Sequence, residues 1–374
     1  MPRQPGSAIK PLLTYTPAIA EGLTGMTVVD DAPISIVHGK VWPENDDYLF
    51  RGYMTLRHAL AISDNNVAVK TLAGIGMNYG FSFAYHQFHL TTLVPGGSRN
   101  DDTLAATLGG LTRGVSLEEM VDAYAELANG GSYVPAVAVL KVEKPDGSVL
   151  YRYQPVRTRE FSPQADYIVT KMLEKVFAYG TGSGFALNRP AAGKTGTTNR
   201  GHNGWFIGFT PQLVAGVWTG YSNRLPKPAR GFYGATYAGP IRHQIMTADR
   251  LPVEHFPRPP GIVTEDVSNR SGLLPGPYCP PQDIKKGLFI EGTQPGIRGE
   301  VHVPAVVSAQ NHLLAIPPGV APPDIIVRDK WVPVRLAGPA SGSGVPGGRE
   351  AARPNGGSGQ ENMPAGAAPP AIAG

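Results

Sequence analysis

Cysteine is almost missing from this 374-residue chain: Cys279 stands alone. No disulfide can close within the chain, and thiolate-cluster zinc sites are excluded. Long hydrophobic runs are missing too, none approaching the roughly 18–20 residues of a membrane span, and the first residues carry no basic-then-apolar leader. The chain is therefore expected to behave as a soluble one. Charge of one sign is scarce: 33 Lys and Arg stand against 29 Asp and Glu, a net +4. The basic residues are dispersed, which gives nucleic-acid binding no support. The histidines are scattered as well; His86 and His89 have the spacing of one helix face but no third ligand nearby, so neither metal nor cofactor is expected. What is present is ordinary for a folded protein, 41% apolar residues, enough for one large domain or two of usual size.

The most concentrated chemistry lies in Gly193-Lys194-Thr195-Gly196-Thr197-Thr198. The glycines admit a ligand close to the backbone, the lysine supplies positive charge, and the threonine hydroxyls can hold a carboxylate. Gly-Lys-Thr also ends the phosphate-binding P-loop, but that loop needs a glycine five positions before Gly193, where Asn188 stands. Two further pairs are weak alone. Ser7 follows a Pro-Gly turn at the start of a helical stretch, with Lys10 one turn along, which sets an amine near a hydroxyl. Chance produces a Ser-x-x-Lys about once or twice in a chain this long, so a helix cap beside a solvated lysine explains it equally well. A helix opened by Thr55 breaks at Ser63-Asp64-Asn65 and resumes at Val67, and such a break aims Ser63 and Asn65 into a cleft or is a plain loop. Ser98-Arg99-Asn100 lacks flanking helices and is set aside.

Elsewhere the pattern is structural. Ser116 and Glu119 form a capping box ahead of a buried helix through Met120, Tyr124 and Leu127, stopped by Gly130-Gly131. Lys144-Pro145-Asp146-Gly147 marks a hairpin between Val137–Val142 and Val149–Tyr153. Ser162-Pro163 opens a helix with Ile168, Met172 and Val176 on its apolar face. The stretch from Gly180 to Gly184 is a glycine-rich turn. Runs from Asn203 to Gly208 and Leu213 to Tyr221 join the Lys194 strand in an antiparallel meander, covered by a short helix from Ala238 to Met246. Past Leu251 Pro and Gly dominate, with one short strand at Gly287–Ile290. Residues 337–374 have the composition of a disordered tail.

Taken in order, Ser7-x-x-Lys10, Ser63-x-Asn65 and Lys194-Thr195-Gly196 form the motif set of serine penicillin-recognising enzymes. The chain from residue 3 to about 247 resembles the transpeptidase domain of class A, bifunctional penicillin-binding proteins; Arg3-Gln4-Pro5-Gly6-Ser7 and Gly204-Trp205-Phe206-Ile207-Gly208 strengthen the likeness. The resemblance implies an α+β fold, an antiparallel sheet flanked by helices with an all-helical part, of the β-lactamase/transpeptidase type. It implies a transpeptidase domain over 1–250 that lacks the family's first helix and two strands, an extension over 251–336, and the tail. The family's glycosyltransferase domain and membrane anchor are not expected in this chain, although the full-length protein is expected to be anchored at the extracytoplasmic face of a bacterial membrane. Asn203 departs from the acidic residue common there, and the extension's usual second cysteine is absent.

The resemblance also implies roles. Ser7 attacks the penultimate D-alanine of a peptidoglycan stem peptide, Lys10 takes its proton, Ser63 relays a proton to the leaving D-alanine, and Asn65 holds Lys10 and the substrate amide. Lys194 sets the protonation of its neighbours, the backbone N–H groups of Ser7 and Thr197 form an oxyanion hole, and Thr195, Gly196 and Thr197 bind the terminal carboxylate. The expected partners are stem peptides and β-lactams. The alternatives are a D,D-carboxypeptidase or β-lactamase-type hydrolase, a β-lactam sensor, and an inactive fragment.

Overall fold

The computed structural model describes residues 1–37, 40–198, 201–221, 231–248, 251–299, 301–302, 305–308 and 325–328. The expected tail lies outside the described residues. In chain order the helices are α1 (Thr16–Ala20), α2 (Leu56–Ile62), α3 (Asn65–Ile75), α4 (Met77–His86), α5 (Leu117–Ala128), α6 (Pro163–Ala178) and α7 (Gly234–Ala248). The strands are β1 (Val28–Asp31), β2 (Ser35–Val37), β3 (Lys40–Trp42), β4 (Gly52–Thr55), β5 (Ser132–Tyr133), β6 (Lys141–Glu143), β7 (Val149–Arg152), β8 (Thr158–Arg159), β9 (Ala192–Thr197), β10 (Asn203–Phe209), β11 (Val214–Gly220), β12 (Ile262–Ser268), β13 (Ile284–Ile290), β14 (Ala305–Ser308) and β15 (Ile325–Arg328).

The main sheet is the meander β11-β10-β9, antiparallel throughout. Strand alternation divides its side chains between two cores. Trp205, Ile207 and Phe209 join the large core with Tyr124 of α5 and Ile168 and Met172 of α6. Phe206 and Val217 point the other way and pack with Phe177 and with Ala238 of α7. Gly208 on that second face leaves room for the Arg242 guanidinium, which a Cβ there would approach to 2.4 Å. The remaining strands form two-stranded antiparallel pairs.

Several elements run longer or shorter than their sequence signals. The covering helix α7 is 15 residues and starts at Gly234, ahead of the apolar periodicity. The hairpin strands shrink to Lys141–Glu143 and Val149–Arg152. The Pro/Gly-rich extension carries a seven-residue pair, β12 with β13, because Val267 and Phe289 find a small core with Met26 that local periodicity does not display. His86 closes α4, whereas His89 lies beyond it at φ 53° against Tyr133, so the two do not share a helix face.

Candidate functional site

Ser7 does not cap a helix. It sits inside a 3-10 turn, Gly6–Ile9, whose N-cap is Pro5 and makes no side-chain capping bond. A π-helical stretch, Pro11–Tyr15, and then α1 follow. Pro11 has no N–H to give, which accounts for the irregular winding. Gly6 adopts φ 54°, and a Cβ on it would approach the Thr197 carbonyl oxygen to 2.4 Å. Gly196 is equally confined: a Cβ on it would lie 2.3 Å from the Pro5 oxygen. Two glycines thus let the Ser7 turn lie directly on the edge strand β9. Trp205 secures the approach from beneath, its Nε1 donating to the Gln4 carbonyl at 2.9 Å.

Ser63 ends α2 in the left-handed conformation, φ 66°. This turns the chain so that Asp64 caps α3, accepting from the Val67 N–H at 2.8 Å. Ser63 and Asn65 then face Lys10. Lys10 Nζ donates to the Ser63 carbonyl at 2.7 Å, the Asp64 carbonyl at 3.0 Å and Asn65 Oδ1 at 2.6 Å, with Ser63 Oγ at 3.5 Å. Lys194 Nζ reaches the same hydroxyl at 2.8 Å and its neighbour's carbonyl, Thr195 O, at 3.1 Å. Both lysines are fully buried. Among the described residues no hydrogen bond joins the Ser7 hydroxyl to Lys10; the amine is held by the Ser63 turn instead.

Burial dominates the electrostatics of the site. Burial, more than any neighbouring charge, pushes Lys10 down to about 8, partly offset by Asp64 and Asp46. Burial and then the Lys10 charge hold Lys194 well below the ordinary lysine range. Burial also raises Asp64 to about 6.

On β9 the Thr198 N–H bonds the Asn203 carbonyl at 3.1 Å. Antiparallel ladders alternate, so Thr197, opposite Gly204, sits at a non-bonded position with its N–H directed off the sheet edge. The Thr197 hydroxyl accepts from the Gly234 N–H of α7 at 3.0 Å and keeps its own proton to donate. Thr195 Oγ1 lies 2.6 Å from Thr181 Oγ1. Asn203 accepts from Trp218 Nε1 at 3.0 Å, a neutral contact that requires no acidic residue there.

The structure thus brings Lys10, Ser63, Asn65 and Lys194 together by direct bonds and sets Ser7, Gly196 and Thr197 beside one another. Sequence reasoning missed the support behind them. Asn45 is buried, donates to Asp31 Oδ1 at 2.9 Å and Asp64 Oδ2 at 3.0 Å, and accepts from the Asn65 N–H at 2.8 Å. The Glu44 carbonyl takes Asn65 Nδ2 at 2.6 Å. Thr181 was hidden in the glycine-rich turn, where Gly180 lies so close to the Ala61 carbonyl that a Cβ would fall at 2.1 Å. Nothing local in the sequence ties Asn45 or Thr181 to the lysines.

A serine on a 3-10 turn and a lysine at the start of the helical stretch after it, set against the edge of an antiparallel meander with helices on both faces, define the β-lactamase/transpeptidase class of fold. The crystal structure of penicillin-binding protein 1A from Haemophilus influenzae superposes with a TM-score of 0.70 at 25% identity, over 80% of this chain and 49% of that one. PonA1 from Mycobacterium tuberculosis, in complex with penicillin V, gives 0.61 at 25% identity over 69% and 73%. The family described as penicillin binding protein transpeptidase domain matches residues 2–247, and the chain belongs to that family. A second family, the C-terminal domain of penicillin-binding protein 1A, matches residues 258–304. Penicillin-binding protein 1A of Neisseria cinerea is 36% identical over 252 residues, 64% of this chain and 30% of its own length. Penicillin-binding protein 4 of Bacillus subtilis is 37% identical over 220 residues, 58% and 34%. The chain therefore spans about a third of the length of these curated relatives.

Proposed function

We propose that the chain is the D,D-transpeptidase part of a penicillin-binding protein, joining peptidoglycan stem peptides through an acyl-enzyme on Ser7. The observation that carries this reading is the convergence of two buried lysine amines on the Ser63 hydroxyl, beside the edge strand against which the Ser7 turn lies.

In the proposed cycle Ser7 Oγ attacks the carbonyl of the penultimate D-alanine while Lys10, once neutral, takes its proton. The negative oxygen that forms is met by the N–H groups of Ser7 and Thr197, each worth about 3–4 kcal/mol in comparable sites. The C–N bond breaks, and the departing D-alanine amine receives a proton through Ser63. A stem-peptide amine then attacks the ester, forms the new amide and returns Ser7 to its hydroxyl. A β-lactam opens on Ser7 in the same way, and its amine stays tethered.

The substrate carboxylate completes the electrostatics. Bound by the hydroxyls of Thr195 and Thr197, it favours a protonated Lys194, and that cation in turn disfavours a proton on Lys10. Substrate binding therefore prepares the base. The work takes place at the extracytoplasmic face of the membrane, where peptidoglycan lies; no described helix is long and apolar enough to cross a membrane.

The test is D-alanine release from a D-Ala-D-Ala pentapeptide with and without an added acceptor amine. Transpeptidation predicts an amide product that grows with acceptor concentration. Release into water alone, unaffected by acceptor, points to a hydrolase.

A further inference from the structure

Away from the catalytic groups, a cavity of about 180 Å³ opens where α6 and the start of α2 meet β13, at the seam between the two family matches. Its floor is apolar: Met26, Ile168 and Met172 are buried, and Leu288 is half-buried. Its rim is cationic, with Arg57, Lys171, Lys175 and Lys286 beside Glu174, although Lys286 also pairs outward with Asp266 at 3.5 Å. The Glu174 carboxylate is already engaged by Lys171, whose Nζ lies 2.7 Å from its Oε1.

Arg57 is the telling residue. Its Nη1 donates to the Lys286 carbonyl at 3.0 Å, a neutral acceptor, and among the described residues no carboxylate pairs with it. Burial pulls its pKa below the usual arginine value. The guanidinium lies at the open side of the cavity, where that hydrogen bond is exposed, and most of its donor fork is left to meet a ligand. Lys175 likewise has no ion-pair partner among the described residues. Apolar walls with a few converging donors of one sign are the composition of a small-ligand pocket.

We propose that this cavity binds a small organic carboxylate, its oxygens on Arg57 and Lys175 and its apolar body on Met26, Met172 and Leu288. The planar fork of arginine matches a carboxylate in two parallel bonds. The size fits a body of about six carbons, since an apolar cavity of about 150 Å³ accommodates benzene. Methionine side chains adapt to varied apolar shapes, which suits the floor to an aliphatic or aromatic body alike.

Hexanoate titrated into the full chain, followed by NMR shift changes, tests the site. The expected result is saturable binding, with 1-hexanol and acetate each at least about tenfold weaker, because one lacks the charge and the other the body. Arg57→Gln is expected to lose about tenfold in hexanoate affinity; should it fail to fold, Lys175→Gln and Leu288→Trp, which remove a rim charge and fill the floor, carry the same expectation. Equal binding of 1-hexanol and hexanoate, unchanged affinity in the folded variants, or no saturable binding overturns the proposal.

Discussion

Lys10 and Lys194 meet at one atom. Their amine nitrogens lie 3.5 and 2.8 Å from the Ser63 hydroxyl oxygen, although the residues belong to the segment after Ser7 and to strand β9. Three carbonyl oxygens lie within 3.0 Å of Lys10 Nζ, one for each proton of an ammonium. Burial and the Lys10 charge depress Lys194, and in the proposed cycle Ser63 is the point through which a proton passes between the two.

The first prediction concerns pH. Lys10 is held at about 8, and its neutral form, the one that can accept a proton, grows as pH rises through that value. Acylation of the protein by a penicillin, measured by stopped-flow, is expected to rise about tenfold per pH unit below 8 and to level off above it. A profile flat from pH 6 to 9 contradicts Lys10 as the base.

Removing the shared hydroxyl isolates the two lysines. Ser63→Gly is the appropriate change, because glycine accepts the φ of 66° at no strain and keeps the carbonyl that anchors Lys10. Acylation is expected to fall by about 10²–10⁴-fold while thermal stability changes little. A rate within a factor of about three of the parent removes Ser63 from the proton path.

Gly6 and Gly96 share positive φ, 54° and 63°, but not surroundings: nothing lies within 4 Å of a Cβ at Gly96. Gly96→Ala is expected to cost only the backbone term, about 1–2 kcal/mol. Gly6→Ala must also displace Thr197 and is expected to cost a further ~1–3 kcal/mol and to abolish acylation. Equal losses in denaturant unfolding mean that the Ser7 turn does not lie against β9.

Asn45 holds two carboxylates and a backbone N–H together behind the lysines. Asn45→Ala leaves Asp31 and Asp64 each short of a donor and is expected to lower unfolding free energy by about 2–4 kcal/mol. Asn45→Asp, of nearly the same shape, is expected to do no better, because a third carboxylate replaces the donor.

The motifs were legible because each is a short local pattern: the capping box at Ser116, the break at Ser63 and the meander of β9 to β11 stand in the structure as their residues indicate. What local pattern does not carry is contact across the chain. Ser7 reads as a helix cap until Pro11 is seen to force an irregular turn and β9 to press upon Gly6. Asn45 and Thr181 read as loop residues because their partners are distant in sequence. The Lys194 motif carries no local sign of how completely the fold buries that side chain.

The central claim is that Ser7 is the acylated nucleophile. It is tested most directly by incubating the full chain and its Ser7→Ala variant with a fluorescent penicillin and reading covalent label by gel fluorescence and intact mass. The parent is expected to gain one penicilloyl group and the variant none; a Ser7→Ala protein labelled to the same extent as the parent contradicts the account.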